Sequence, residues 1–210
     1  MRKETLDRLM GQMAGGQMEP QARQALAVFR ERTGASFEDD PSHEGRMALF
    51  TEWFILDYPK AYGAISPLDL YLAGAEGAPG EEERAMVTSL RKNVHDIFQV
   101  RWADGGRIKA QAMYMNKEFL IDCEERGGAF RKGDIFEARM ITLEGKWRLL
   151  NGFVSHPSQA GKYIQAEMGR IRAQNGAGLH SFISRLSAMS LMCERSRNID
   201  VNEIYKNEAA

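Results

Sequence analysis

Three carboxylates, Glu52, Asp57 and Asp69, are the side chains whose type and spacing come closest to those of a catalytic site. Two carboxyl groups that share a cleft can act as general acid and general base. Each of the three also has a structural role in the predicted helices. Asp57 caps a helix end, Asp69 lies in a first helical turn, and Glu52 faces solvent or a basic partner. We favour the structural roles and predict no catalytic residue in this group.

The four histidines do not predict a metal site. His43, His95, His156 and His180 are far apart in the chain, and none has a partner at the spacing typical of metal ligands. No serine lies in a nucleophile elbow, and the glycine-rich stretches lack the Lys and Ser or Thr of a phosphate-binding loop. We therefore expect no metal and no cofactor, and we expect that the protein is not an enzyme.

A second candidate site combines tryptophan with basic side chains near the ends of predicted strands. This candidate interaction surface consists of Arg101, Trp102, Arg107, Lys146, Trp147 and Arg148. Exposed indoles among basic groups could stack on bases and pair with phosphates. In the alternative interpretation both indoles pack under helices, and their charged neighbours form an ordinary solvated face. We favour this alternative and expect any nucleic-acid binding to be weak.

Helices before residue 93 and after residue 156 are predicted by apolar residues at helical spacing. The N-terminal helices cover about 1–12, 20–34 and 42–58, and two more begin at Ser66 and Glu81. Trp53 shares an apolar helix face with Phe50, so we predict that it lies in the core.

Between residues 94 and 154 the pattern changes to that of short strands. Five strands with loose alternation are mostly joined by hairpins, including turns at residues 104–106 and 144–145. A flat sheet of this size would leave long open edges. We therefore predict an α+β fold with N-terminal helices (1–92), a small five-stranded curled antiparallel sheet or barrel (93–155), and C-terminal helices (156–210).

The composition is that of an ordinary globular protein, with 43% apolar and 27% charged residues. The 28 basic and 29 acidic side chains nearly cancel, so no global field favours nucleic acid or an anionic membrane. We find no secretory signal and no apolar stretch near the roughly 18 residues of a membrane span. Cys123 and Cys193 have no paired spacing and predict free thiols in a reducing compartment, which indicates a cytoplasmic protein.

Charge is nevertheless segregated along the chain. Residues 35–84 carry a net charge of −8, and residues 145–197 carry +6. Such asymmetry can serve a partner with a matching patch, or the two segments can face each other within the chain. We take pairing within the chain as the default.

Two short runs resemble a poorly characterised bacterial family. Residues 52–59 (EWFILDYP) and 66–72 (SPLDLYL) are similar to its helical segment, which has the pattern EWF-x-x-D-x-P followed by TPL-x-x-YL. The turn at 132–134 (KGD) and the hairpin at 145–147 (GKW) are similar to its small β-region. The resemblance covers about residues 36–155 and implies no activity. Some members append a Cys-rich metal-binding motif of the type found in the SecA export motor. This sequence lacks that motif, so the resemblance implies no metal.

These observations favour a non-catalytic protein-interaction module of unknown pathway. The alternative is an accessory nucleic-acid-binding protein that uses the barrel face. The two hypotheses differ in one measurable property, because phosphate contacts release counterions and make nucleic-acid binding fall steeply with salt. The sequence does not specify the protein partner or the oligomeric state.

Overall fold

A computed structural model of the chain describes residues 3–58, 65–74, 80–124, 128–196 and 198–206. Pro59, the last residue of the first family-like run, lies outside these ranges. The helices before the sheet are α1 (Lys3–Ala14), α2 (Glu19–Thr33), α3 (His43–Leu56), α4 (Pro67–Leu72) and α5 (Glu81–Arg91). After the sheet come α6 (Gly161–Ala173), α7 (Leu179–Arg195) and α8 (Val201–Lys206). Short 3-10 turns at Gly16–Met18 and Ser158–Ala160 precede α2 and α6.

Five strands lie between the two groups of helices and close into a ring. They are β1 (Val94–Asp104), β2 (Arg107–Ala112), β3 (Lys117–Asp122), β4 (Ile135–Leu143) and β5 (Lys146–His156). Their spatial order is β1-β2-β3-β5-β4, and β4 pairs again with β1. The predicted α+β class, with a small curled five-stranded sheet between helical segments, is confirmed. The sheet is mixed, because the short pairing that closes the ring between β3 and β5 is parallel.

The interior of the ring is filled by aromatic side chains. Phe136 lies at the centre, with ring centroids 5.5 Å from Phe98, 5.0 Å from Phe130 and 5.2 Å from Phe153. Small residues such as Ala138 on the same face of β4 leave room for these rings. The ring is therefore a packed core and not a channel.

Two further apolar clusters lie between the ring and the helices. The N-terminal helices pack against Ile141 and Leu150 of β4 and β5, whereas the C-terminal helices pack against Ile97 and Ile135 of β1 and β4. Trp53, predicted to be core, lies half-buried against the first cluster, where its ring contacts Phe29 and Tyr58. The helices thus cover β4, β5 and the start of β1.

Helix α3 approaches the backbone of β5 closely at Gly45. A Cβ atom at this position would lie 2.4 Å from the carbonyl oxygen of Phe153. Backbone atoms cannot move aside as the end of a long side chain can, so glycine is required here for steric reasons. Gly11 in α1 has no such neighbour within 4 Å.

We expect Gly45→Ala to lower the free energy of unfolding by about 1–3 kcal/mol, because overpacking outweighs the helix propensity of alanine. Gly11→Ala is the matched control and should raise it by about 0.5–1 kcal/mol. Urea denaturation of both variants measures the two effects. A Gly45→Ala protein as stable as the Gly11→Ala protein would contradict the close approach of α3 and β5.

Three chain-wide expectations can be compared with the structure. Cys123 and Cys193 are both free thiols, as predicted. Within the described ranges, no helix is both long enough and apolar enough to cross a bilayer. Asp40 of the acidic segment and Arg195 of the basic segment form an ion pair of 2.6 Å, so the two segments meet at this point.

Candidate interaction surface

The two carboxylates of the first family-like run, the buried Glu52 and the partly buried Asp57, lie against one arginine. Arg139 on β4 is 2% exposed, donates hydrogen bonds to Asp57 and to Asn93, and lies 3.9 Å from Glu52. Glu52 also accepts the N–H of Gly152 at 2.6 Å. Burial opposes ionisation of Asp57, but the charges of Arg139 and His95 together with the hydrogen bond from Arg139 outweigh it and lower the pKa of this carboxyl. These groups fasten α3 to β4 and β5.

Glu52 was predicted to face either solvent or a basic partner, and in the structure it is buried and faces Arg139. Asp57 lies at the C-terminal end of α3, as predicted, and in addition binds Arg139. Asp69 lies in the first turn of α4 and forms an exposed ion pair with Arg91. Exposed pairs of this kind contribute little to stability. None of the three carboxylates shares an open cleft with another as an acid–base pair would.

Glu137, two residues before Arg139 on the same face of β4, lies at the centre of a second buried polar group. It accepts hydrogen bonds from Nε2 of His95 (3.0 Å) and from the hydroxyl of Ser187. Burial and the charge of Arg139 lower the pKa of His95. In a catalytic triad the histidine contacts the nucleophile directly. Here Glu137 separates the serine from the histidine, so the arrangement joins α7 to the ring rather than activating Ser187.

His156 joins the end of β5 to α8. Its Nδ1 lies 2.9 Å from the hydroxyl of Tyr205, and the side chain is buried. Burial lowers the pKa of His156 to about 4. The imidazole is therefore neutral in the folded protein over a pH range in which an unfolded chain would protonate it.

This pKa predicts a specific loss of stability in acid. The unfolded chain binds the extra proton below pH ~6.5, and the folded protein binds it only near pH 4, so stability falls as pH falls between these values. The contribution is about 3 kcal/mol. We expect the stability difference between wild type and His156→Gln to shrink by about this amount from neutral pH to pH ~4. Denaturation at several pH values measures it. His180→Gln at an exposed histidine is the control, and a pH-independent difference for His156→Gln would contradict the assignment.

The described helices leave the outer face of β2, of β3 and of the second half of β1 uncovered. A β-bulge at Arg101, between Val100 and Trp102, changes the phase of β1. Val100 therefore lies in the ring interior, whereas Trp102 points outward and is 43% exposed. Trp102 pairs with Lys109 on β2, which pairs with Leu120 on β3. Leu120 is 53% exposed. We call Trp102, Lys109 and Leu120 the outer row.

The basic residues of the predicted surface lie on this same side of the ring. Arg107 on β2 pairs with Asp122 on β3. The ammonium group of Lys146 lies 3.6 Å from the Asp122 carboxylate, and the guanidinium of Arg148 lies 3.7 Å from it. Asp122 therefore offsets part of their positive charge. Arg101 is exposed and donates to the neutral side chain of Gln111. The structure thus brings Arg107, Lys146 and Arg148 together around an acid.

The two tryptophans of the predicted surface do not lie side by side. Trp147 is half-buried on the interior side of β5, with its ring 5.2 Å from Phe119 in an edge-to-face contact. Trp102 is exposed in the outer row. The interpretation that both indoles are covered by helices therefore describes neither of them: Trp147 packs on the ring interior, and Trp102 is on the surface.

A groove lies beside β3, where the turn between β4 and β5 diverges from it. It has a volume of about 420 Å³, and its lining includes Lys117, Phe119, Leu120, Gly145, Lys146 and Trp147. We call it the β3 groove. Its aromatic floor is formed by the Phe119–Trp147 pair, and its outer rim by Leu120 and basic side chains.

Several important residues were missed by sequence reasoning. Glu137 and Arg139 share a face of β4 with Ile135 and Ile141. Two charged residues on one apolar face were the available signal for a buried polar cluster. Leu120 of the outer row carried no such signal, since single exposed apolar residues are common.

Among the residues described, no group of three or more His, Cys, Asp or Glu side chains is placed to hold a metal. No family model, no curated protein and no solved structure matches the chain. The resemblance to a bacterial family therefore stays a prediction, and a functional proposal has to be built from the geometry.

Proposed function

We propose that this protein is a non-catalytic interaction module that binds another protein through the outer face of β1, β2 and β3. The outer row supports this proposal, because it places a tryptophan 43% exposed and a leucine 53% exposed on a part of the sheet that no described helix covers. Trp102 and Leu120 flank Lys109 in this row, and exposed apolar surface rimmed by polar groups marks interaction sites on folded proteins. Tryptophan is also enriched among the few residues that dominate binding energy.

A non-catalytic role is consistent with the positions of the groups that could do chemistry. Glu52, Asp57, Glu137 and His95 bind one another or Arg139, and they lie buried (Glu52, Glu137) or partly buried (Asp57, His95) between the ring and the helices. An acid or base must reach a substrate to act on it. Two free thiols further support a reducing, cytoplasmic location. The proposed function requires no cofactor.

The experiment is co-purification of the tagged full chain from its native cell, with and without nuclease. We expect a protein partner that survives nuclease, and we expect Trp102→Ala to weaken its binding by roughly 30-fold, the effect of losing a hot-spot residue. Phe37→Ala is the control, because Phe37 is 58% exposed and lies outside the outer face. A partner that binds Trp102→Ala as tightly as wild type would contradict the proposed surface.

A nucleic-acid-binding role is the alternative, and the strand order favours it. Small five-stranded barrels can bind oligonucleotides through the face of strands 2 and 3. The charges argue against this role, because Glu118 lies 2.6 Å from Lys109, and Asp122 faces Lys146 and Arg148. Lys109, Lys146 and Arg148 are thus paired with acids, and few cations of this face remain for the run of phosphate contacts on which nucleic-acid affinity depends.

We expect no binding to a mixed-sequence single-stranded oligomer tighter than about 10 μM at physiological ionic strength. Fluorescence anisotropy with a labelled oligomer measures it. A submicromolar transition that weakens steeply with salt and is lost in Trp147→Ala would instead favour the nucleic-acid role.

A further inference from the structure

Among the described residues, the first four residues of strand β3 have no partner strand on their second edge. β3 pairs with β2 along its whole length, but its pairing with β5 is confined to Ile121 and Asp122. Within the part of the chain that the structure describes, no strand pairs with the other edge of residues 117–120. This free edge borders the β3 groove.

The backbone groups on that edge can be assigned from the ladder to β2. The N–H of Cys123 donates to the carbonyl of Gly106 at 2.7 Å, so β3 residues of odd number face β2. Backbone groups alternate along a strand, so both the N–H and the C=O of Glu118, and the N–H of Leu120, point into the free edge. Such an edge is a template for another strand.

Side chains on both faces of an added strand would contact apolar residues of this protein. Its inward side chains would meet Phe119 and Trp147, whose rings lie 5.2 Å apart on the floor of the groove. Its outward side chains would meet Leu120, which is 53% exposed. Because successive side chains of a strand point to opposite faces, apolar residues in the ligand can use the aromatic floor while their neighbours stay near solvent.

The charges around the groove favour a ligand with carboxylates. Its two acids are already paired, Glu118 with Lys109 and Asp122 with Lys146 and Arg148. Arg107 and Lys117 also line the groove, and neither forms an ion pair with a described residue. The charge left for a ligand is therefore positive, which complements an acidic segment.

We propose that the β3 groove binds an extended acidic–apolar segment of a partner protein, which adds to β3 as an antiparallel strand. This inference rests on the proposed function and names the chemistry of the partner. Antiparallel addition is chosen because that pairing is the more stable per residue. Main-chain hydrogen bonds to Glu118 and Leu120 would provide affinity, and the aromatic floor and basic rim would provide specificity.

The first experiment uses a fluorescent synthetic peptide in which glutamate alternates with valine and phenylalanine. We expect it to bind the full-length protein. Methylation of its backbone nitrogens on the bonding edge should weaken binding by about tenfold or more, because hydrogen bonds to β3 are lost. A peptide with lysine in place of glutamate should also bind more weakly. Equal binding of the methylated and unmethylated peptides would overturn strand addition.

The second experiment changes the edge itself. Leu120→Pro removes an N–H that points into the free edge and none that bonds to β2, and proline is tolerated on edge strands. Leu120→Ala shortens the same side chain but keeps the N–H. We expect the proline variant to lose about tenfold or more in peptide affinity and the alanine variant to lose much less. The methylated peptide tests the same bonds without a mutation, so a misfolded Leu120→Pro protein leaves the proposal testable.

Two results would overturn this inference, and each would lead to a different conclusion about the proposed function. If wild type fails to bind the peptide but forms a dimer that Leu120→Pro dissociates, the occupant of the edge is a second copy of this chain. If a native partner is lost in Trp102→Ala but retained in Leu120→Pro, the interaction-module proposal stands and strand addition fails. Loss of the native partner and of the peptide in Leu120→Pro alike is the result that supports it.

Discussion

Replacing Arg139 with alanine is expected to lower the free energy of unfolding by about 3–5 kcal/mol, because the buried Glu52 and the partly buried Asp57 lose their counterion. Asp57 binds the guanidinium directly, and Glu52, 2% exposed, lies 3.9 Å from it. Chemical denaturation monitored by tryptophan fluorescence measures the loss. Arg23→Ala is the control, since Arg23 forms an exposed ion pair with Glu19 and its removal should cost less than about 0.5 kcal/mol.

A double-mutant cycle separates the charge effect from the loss of side-chain volume. Asp57→Ala combined with Arg139→Ala removes both members of a buried pair, so the double variant should be more stable than the sum of the single effects predicts. We expect an interaction free energy of about 1–3 kcal/mol. Additive effects within experimental error would mean that the pair is not coupled, and would contradict the role assigned to Arg139.

Phe136→Ala is expected to lower the free energy of unfolding by about 3–5 kcal/mol, because it opens a cavity where three other aromatic rings converge. Phe136 is 1% exposed, and the closed ring of strands limits how far its neighbours can collapse into the space. Phe37→Ala removes the same atoms from a side chain that is 58% exposed, and should cost less than about 1 kcal/mol.

The outcome can be read from the urea midpoints of the two phenylalanine variants. Similar midpoints would show that the ring interior is not a tightly packed core. An unchanged m-value is also expected for Phe136→Ala, since the variant should unfold from the same compact state.

The buried polar groups and the outer row are on different sides of the ring. Arg139, Glu137 and His156 fasten helices to β4 and β5. Trp102 and Leu120 lie on strands that the helices leave uncovered. One side of the ring is therefore used for stability, which leaves the other side available for a partner. Variants of the outer row are accordingly expected to change binding with little change in stability.

The order and type of most elements follow from the sequence alone. The strand from Ile135 to Leu143 has the bounds that its pattern predicts, and a turn at 144–145 joins it to the next. Helix α3 begins and ends within two residues of its predicted limits, 42 and 58. Apolar periodicity and turn residues are local properties, and local backbone preferences respond to them directly. For this reason the α+β class could be predicted from the sequence.

Only the tertiary structure decided which side chains meet. A single extra residue at Arg101 reverses the side to which Trp102 points, because the side-chain period of a strand is two. The short parallel pairing of Ile121 with Trp147 closes the ring and, among the described residues, leaves 117–120 of β3 without a second partner strand. Arg139 meets Asp57, 82 residues away in the chain, through packing of α3 on the ring. The side to which a strand residue points, the closure of the ring and the burial of charged groups all depend on contacts between distant segments. Local sequence patterns do not predict those contacts.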